Sequence, residues 1–382
     1  MRRHGGGLKR GLEAVLDRGT GRSRRWGVFL LALVAVAREG GETAVFLHGM
    51  LAGVHAALAD GRGGDPRSGE LRLAVLGDVV RRRTGMSERR SAEFLHAYRR
   101  PFAVVLGTSE IASAAALHLH RAGFATILSH DPFPPVIRRS MAFHDALFGD
   151  RAALEEVEAE RAEDAVTLIT VLARPARVAV TMLGLVELIA IRSPDVLVDA
   201  RLQKHRVTPD LRRIVKLAVG LGPNFRVDAN CDIAVETRPT KTGRLVTAGE
   251  TDAADGIASR LGRVGGERFV YSDRPGLWHT PIEIGMRVFK GLVVGRLDGL
   301  PVHAPLDGIL RGVVRDGSKV PPGVKLIEVD PRGRKAQWTG IDERSRAIAM
   351  ATLDAIRLKM GDSATANARV GSDATPSLMS GA

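Results

Sequence analysis

The turn with the sequence GTSEIA (107–112) carries the residue types that could bind a phosphate. It follows the apolar run Phe102–Leu106 and precedes an alanine-rich helical stretch. A dinucleotide-binding turn uses a first glycine for the tight turn, a second for close backbone approach to the phosphate, and a third small residue for helix packing. Gly107 and Ala112 fit the first and third places, and Ser109 takes the second. Because a helix N-terminus offers N–H groups and a positive dipole end, the turn predicts contact with a nucleotide or pterin phosphate; a plain βα turn is the alternative.

Charged residues near this turn bear on the same interpretation. Glu110 stabilises the helix dipole but repels an incoming anion. Asp131 stands 24 residues beyond the first glycine, after the predicted strand Phe124–Leu128. An acid at this place would bond a ribose diol, and an ordinary loop aspartate is the equal alternative. Arg138 and Arg139 could hold a phosphate or form a solvated pair.

The elements around the turn predict a Rossmann-like domain over residues 101–235. Strand, glycine turn, helix and strand form a right-handed βαβ unit, which opens a parallel sheet. Near the domain's end, the segment Ile214–Leu221 leads into the turn Gly222-Pro223-Asn224. Further apolar runs predict three strands, at Val166–Leu172, Val178–Thr181 and Val196–Ala200, and one helix, at Leu183–Ile191. The apolar segment Ile214–Leu221 completes the domain.

A β-rich domain is predicted over residues 236–340, because apolar alternation and frequent glycine and proline begin near Cys231. Its clearest part is residues 282–330, which we interpret as a barrel-sandwich-like module of the biotinyl/lipoyl type. Asp-Gly pairs between alternating apolar residues are strong hairpin signals. No lysine stands at the predicted tip Asp307-Gly308, so no swinging arm is expected. The remaining predicted turns are Gly291, Asp298-Gly299, Asp316-Gly317 and Pro322-Gly323.

The fold class is therefore α/β: a Rossmann-like parallel sheet followed by a barrel-sandwich-like β domain, with further segments at both ends. Residues 1–100 are predicted to form a basic, mostly helical N-terminal extension. Residues 341–360 are predicted to form a C-terminal helix. Residues 361–382 are rich in polar residues and are predicted to form a disordered tail.

Composition excludes several classes of function. The net charge is +13, but aromatics are only 4%, which argues against nucleic-acid binding through basic surfaces interleaved with aromatics. An arginine-rich scaffold acting through residues 1–100 rests on charge alone. One cysteine, Cys231, permits no intramolecular disulfide, and no histidine spacing predicts a metal site. The longest apolar run, residues 26–37, is shorter than a membrane span, which needs roughly 20 residues, so a cytoplasmic protein is expected.

Seven segments, taken together and in order, resemble one known family. They are GTSEIASAAALHLHRAGF (107–124), IRRSMAFHDALFGD (137–150), VLVDARLQK (196–204), VGLGPNF (219–225), CDIAVETRPTKTGRLV (231–246), GVKLIEVDPR (323–332) and DERSRAIAMATLDAI (342–356). The chain resembles the YqeB-type selenium-dependent molybdenum hydroxylase accessory proteins, which are related to XdhC-type xanthine dehydrogenase maturation factors. The resemblance covers about residues 101–358. The family turn is nearer GAGDLA, so Ser109 replaces a glycine and Glu110 an aspartate.

The resemblance implies a protein that binds or protects molybdenum cofactor, as molybdopterin or its dinucleotide form. It implies a role in maturation or insertion of that cofactor rather than catalysis. The implied partner is the apoenzyme of a molybdenum hydroxylase of the xanthine dehydrogenase type, and homo-oligomerisation stays open. An NAD(P)-dependent oxidoreductase is the alternative, in which Lys204 or His205 would have to serve as acid or base.

Site residues carried over from the resemblance gather where parallel strands end, as ligands of open α/β sheets do. The predicted cofactor-binding set comprises the turn residues, Asp131, two residues at the end of the DVLVDA strand, two loop glycines and two residues from the β side. These are Gly107, Ser109, Ala112, Asp131, Asp199, Lys204, Gly220, Gly222, Glu236 and Arg244.

Overall fold

Short apolar runs that end at glycine, serine or aspartate form a nine-stranded, mostly parallel sheet. The structure is a computed structural model, and it describes residues 100–204 and 206–361. The sheet order is β3-β4-β5-β2-β1-β6-β7-β8-β9, with antiparallel pairing only for the edge strands β3 and β9. The strands are β1 (Phe102–Leu106), β2 (Ala125–Ser129), β3 (Ala152–Leu154), β4 (Val157–Arg161), β5 (Arg177–Thr181), β6 (Val196–Asp199), β7 (Leu217–Leu221), β8 (Ile233–Val235) and β9 (Leu245–Val246).

Three helices in the same compact unit as the sheet begin at capping residues or acidic first turns. Helix α1 (Glu110–Arg121) begins after Ser109, α2 (Ala165–Ala173) after Asp164, and α4 (Glu343–Met360) after Asp342. In each case the capping side chain accepts a hydrogen bond from a first-turn backbone N–H, which satisfies one of the donors left free at a helix start. Helix α3 (Leu185–Ile191) lies in residues 184–193, which belong to a different compact unit.

Two four-stranded antiparallel sheets follow in the chain. Their orders are β10-β17-β15-β12 and β14-β13-β11-β16, and one apolar core that contains fully buried Trp278 joins them. The strands are β10 (Phe269–Tyr271), β11 (Gly276–His279), β12 (Arg287–Val288), β13 (Val293–Leu297), β14 (Leu300–His303), β15 (Gly308–Val313), β16 (Lys319–Val320) and β17 (Lys325–Asp330).

The order of the parallel strands creates a topological switch point between β1 and β6. From β1 the chain adds β2 and then β5 on one side, and it later adds β6 and β7 on the other. In open α/β sheets a crevice forms at the carboxyl ends of the two strands where the order reverses. Here Gly107 and Ala200 directly follow those ends, and they position the candidate site.

Most elements lie where the sequence predicts them. The mixed α/β class, the strand at 102–106, the helix that ends at Arg121 and the C-terminal helix after Asp342 are confirmed. The sheet includes both β8 and β9, on either side of the predicted boundary at 235, and the domain bounds stay predictions. The N-terminal extension up to residue 99, the tail from 362 and His205 lie outside the described residues.

Two local predictions are wrong. The strand predicted at Val166–Leu172 is instead helix α2, because Asp164 and Thr167 form a capping box that starts a helix there. The pair Asp307-Gly308 is no hairpin turn, since Gly308 already belongs to β15 and the chain passes there from one small sheet to the other. A short apolar run fits a buried helix as well as a strand, so pattern alone does not separate them.

No helix within residues 100–204 and 206–361 has the length and apolarity that crossing a bilayer requires.

Candidate functional site

The turn after β1 is held in place by close backbone contacts. Gly107 has φ of +100°, and a Cβ there would lie 3.1 Å from the carbonyl oxygen of Ala200. Its N–H donates to the Ser129 carbonyl at 2.7 Å. A side chain would therefore meet both backbone strain and the neighbouring strand end, so only glycine fits this first place of the turn.

Ser109 and Glu110 serve their own helix and a neighbouring arginine. The Ser109 Oγ accepts a hydrogen bond from the Ala112 N–H at 3.3 Å, as an N-cap does. The Glu110 carboxylate accepts from Arg138 Nη1 at 2.8 Å. Both side chains thus have partners within the protein, but they do not fill the space beside the turn.

A cavity of about 650 Å³ lies beside this turn at the switch point, and we call it the switch-point cavity. Five of the ten predicted site residues line it: Gly107, Ser109, Asp131, Lys204 and Glu236. Eight basic and five acidic side chains contribute to its wall, an excess of positive charge that favours an anionic ligand.

The other five predicted residues do not line this cavity. Ala112 is fully buried in the core, and Arg244 is exposed. Asp199 is buried and pairs with Arg201, whose Nη2 lies 2.6 Å from its Oδ2. A Cβ on Gly220 would lie 2.1 Å from Phe225 Cδ1, and one on Gly222 would lie 2.7 Å from Thr237 Oγ1. These glycines allow close packing within the protein.

Asp131 and Glu236 line the cavity but use their oxygens to hold loops. Asp131 Oδ1 accepts from the Phe133 N–H at 2.9 Å, and Oδ2 from Gln203 Nε2 at 2.8 Å. Glu236 is buried, and it accepts from three backbone N–H groups, those of Thr237, Arg238 and Asp252. A ligand diol could share the oxygens of Asp131. Glu236 instead holds the loops that shape the cavity.

The cavity wall contains an arginine that joins the two parts of the fold. Arg138 is not a solvated residue: its side chain is 12% exposed and contacts Glu110 and the buried Glu328. Burial alone would lower the pKa of Arg138, but Glu328 and Glu110 outweigh it and raise the pKa. Arg138 therefore ties the turn after β1 to strand β17.

Lys325 and Arg344 are cavity residues that sequence reasoning missed as site residues. The Lys325 Nζ lies 3.8 Å from the centre of the Phe269 ring. Burial, together with the nearby positive charges of Arg138 and Lys204, lowers the pKa of Lys325 to about 8. No local motif marks either residue, because both lie more than 200 positions after the turn in the chain.

Arg344 lines the same cavity wall, and its guanidinium group is only partly hydrogen-bonded. Its Nη2 donates to the Thr237 carbonyl at 2.7 Å, while its buried Nε has no hydrogen-bond partner within the described chain. Burial lowers the pKa of Arg344, although an arginine stays protonated in proteins. A buried donor without a partner costs stability that an anionic ligand could recover.

Two histidines, His130 and His144, contact the side chain of Thr108 in the turn. The Thr108 Oγ1 lies 2.9 Å from His144 Nδ1 and 3.2 Å from His130 Nδ1. Burial, followed by the positive charge of neighbouring groups, lowers the pKa of His144 to about 3. His144 is therefore neutral near pH 7 and positions the turn. Within the described ranges no group of three or more His, Cys, Asp or Glu could hold a metal ion.

Fold and site together define a mixed α/β protein with a positively lined cavity at a sheet switch point. No family model matches the chain. The chain is 28% identical over 231 residues to the uncharacterized protein YqeB of Escherichia coli strain K12, a match that covers 59% of this chain and 42% of YqeB. The predicted relationship to the YqeB family is thereby confirmed, and the chain spans less than half the length of this curated relative.

Solved structures give weaker likenesses. An aspartoacylase family protein from Mesorhizobium loti is 11% identical, with 62% of this chain and 87% of that chain covered and a TM-score of 0.22. The apo ectoine utilization protein from Ruegeria pomeroyi is 14% identical, with 61% and 86% covered and a TM-score of 0.20.

Proposed function

We propose that this chain binds molybdenum cofactor in the switch-point cavity and acts as an accessory protein of a molybdenum hydroxylase. The observation that carries the proposal is that two cavity cations, Lys325 and Arg344, are partly buried and form no ion pair with a described carboxylate. The relationship to YqeB and the resemblance of the seven ordered segments supply the cofactor class. Xanthine dehydrogenase-like apoenzyme as the partner belongs to the same proposal, as does the relationship to XdhC-type factors.

The cavity residues fit a phosphate-bearing pterin. Phosphate oxygens are hydrogen-bond acceptors, and the buried Arg344 Nε is a donor that lacks an acceptor. Lys325 adds a positive charge from β17, and the first turn of α1 adds its dipole. The bound cofactor would supply redox chemistry to the hydroxylase, while these side chains hold and shield it.

The finer fold assignment is part of the proposal. The strand order with a switch point at β1 and β6 supports a Rossmann-like sheet. The two four-stranded sheets around one core support a barrel-sandwich-like module. In this arrangement the parallel sheet supplies the turn after β1, and the module supplies Lys325.

Anaerobic equilibrium titration of the full chain with molybdopterin tests the proposal. We expect saturable binding, and we expect Arg344→Met to weaken it by about ten- to a hundredfold, the value of a lost charge-assisted hydrogen bond of roughly 1.5–3 kcal/mol. Arg274→Met is the matched control, because Arg274 is exposed, pairs with adjacent Asp273 and lies outside the cavity wall.

Two results would contradict the proposal. One is the absence of molybdopterin binding by the folded wild-type chain. The other is equal binding by Arg344→Met and Arg274→Met, which would place the ligand elsewhere. A parallel titration with NAD(P) tests the alternative of a nicotinamide-dependent oxidoreductase, since binding of NAD(P) without binding of the pterin would favour that function.

A further inference from the structure

Lys325 differs from the other lysines of the described chain by its position. Eight lysines are described, and seven of them are exposed; Lys325 alone is partly buried. It begins strand β17 and lies in the wall of the switch-point cavity, against the ring of Phe269. A lysine inside a cavity can meet a bound small molecule with its amine, whereas an exposed lysine meets mainly water.

The charges around Lys325 are those that activate an amine. The buried carboxylate of Glu328, on the same strand, pairs with Arg138 at 2.6 Å and with Arg268 at 3.0 Å. Lys325 itself makes no ion pair with any carboxylate of the described residues. Desolvation and adjacent cations are the two devices that turn a lysine into a nucleophile, because both disfavour the ammonium form.

We infer that Lys325 forms an imine with an aldehyde or ketone that also carries a carboxylate or phosphate group. The neutral Nζ attacks the carbonyl carbon, and a C–N bond forms while the carbonyl oxygen becomes a hydroxyl. That hydroxyl then leaves as water with the second hydrogen of the amine, which gives the C=N bond. The condensation needs no oxidant or reductant.

The ionisation of Lys325 favours this chemistry near neutral pH. With a pKa of about 8, roughly a tenth of the side chain is neutral at pH 7. An ordinary lysine with a pKa of 10.5 is neutral to only about 0.03% under the same condition. The reactive fraction is thus about 300-fold larger at Lys325.

The anionic group of the ligand has its own partner in the same cavity. The buried Arg344 Nε lacks a hydrogen-bond partner in the described structure, and Arg344 lines the wall with Lys325. The positive charge there would attract an anionic carbonyl compound into the cavity that contains the amine and raise its local concentration. The inference therefore names an anionic carbonyl compound rather than a neutral aldehyde.

Reductive labelling of the full chain tests this inference. The chain is treated with glyoxylate and sodium cyanoborohydride, and modified lysines are identified by peptide mass spectrometry. At neutral pH we expect Lys325 to be labelled at least about tenfold faster than exposed Lys319, because more of it is neutral. Acetaldehyde, which has no anionic group, should show a smaller preference for Lys325.

Variants separate the outcomes. Arg344→Met should slow labelling of Lys325 by glyoxylate and leave its labelling by acetaldehyde unchanged, whereas Arg274→Met should change neither. Labelling of Lys325 no faster than Lys319, or equal preference for the two aldehydes, would overturn the inference. The inference does not depend on the proposed pterin function. Molybdopterin binding together with unselective labelling would contradict only the inference. Selective labelling of Lys325 without molybdopterin binding would contradict only the proposed function.

Discussion

Glu328 is fully buried on β17, and its carboxylate connects three arginines from separate parts of the chain. Arg138 Nε lies 2.6 Å from Oε2, Arg268 Nε lies 3.0 Å from Oε1, and Arg311 Nε lies 3.8 Å from Oε1. The substitution Glu328→Gln keeps the shape of the side chain and removes its charge. We predict that this substitution destabilises the protein strongly at neutral pH.

The magnitude follows from the ionisation of Glu328. Burial alone would raise its pKa, but the charge and hydrogen bonds of Arg138, with Arg311 and Arg268, outweigh burial and lower the pKa from 4.5 to about 2. At about 1.4 kcal/mol per pH unit this corresponds to roughly 3 kcal/mol. The loss of one partner from a buried ion pair costs a similar amount, about 3–5 kcal/mol.

The pH dependence has a definite sign. Because the folded pKa lies below the unfolded value, the stabilisation is complete above about pH 4.5 and is lost as pH falls towards about 2. The difference in free energy of unfolding between wild type and Glu328→Gln should therefore be largest near neutral pH. It should shrink progressively in acid.

The difference in free energy of unfolding is measured by urea titration and monitored by tryptophan fluorescence. Trp278 of the same β core contributes to this signal. Glu283→Gln is the control, because Glu283 is exposed and precedes β12 in the same β region. Its effect should stay within about 0.5 kcal/mol. This role of Glu328 is contradicted if Glu328→Gln is no less stable than Glu283→Gln at neutral pH, or if its loss of stability does not diminish in acid.

Three further predictions concern the turn, a loop glycine and the cavity. Ser109→Ala should lower stability by about 1 kcal/mol in thermal unfolding, since the Ala112 N–H loses its cap, and Ser109→Asp should not; equal losses would contradict the capping role. Gly220→Ala should cost roughly 1–3 kcal/mol in urea unfolding, because its Cβ would overlap the Phe225 ring, and an unchanged variant would show that the ring moves freely. Calorimetric binding of pyrophosphate should weaken as pH rises above about 8, by up to tenfold per unit, since Lys325 loses its charge; Lys325→Arg should remove this dependence, and its persistence would assign it to another group.

Local sequence determines the elements that frame the site. The apolar run Phe102–Leu106 is bounded by proline and glycine, so both ends of β1 are fixed by adjacent residues. Ser109 and Asp342 cap α1 and α4 within three positions of the amides they bond. Such interactions operate over a few residues, and a sequence pattern shows them directly.

Local sequence misleads where two structures satisfy the same pattern. The apolar run at 166–172 fits a buried strand, but the Asp164–Thr167 capping box makes it helix α2. Gly308 follows an aspartate as a turn glycine would, yet it begins β15. A glycine is needed there because a Cβ would lie 2.4 Å from the Asp330 carbonyl oxygen. The deciding contact in the second case comes from a strand more than 20 residues away.

Local patterns along the chain indicate the mixed α/β class, the glycine turn after β1 and the relationship to YqeB. The folded arrangement of the chain places Arg138, Lys325 and Arg344 in one cavity beside that turn. They come from a loop, a strand and a helix far apart in the chain, and no spacing rule links them. Packing sets their burial, and burial with neighbouring charge sets how each ionises. The character of the site is therefore a property of the folded molecule.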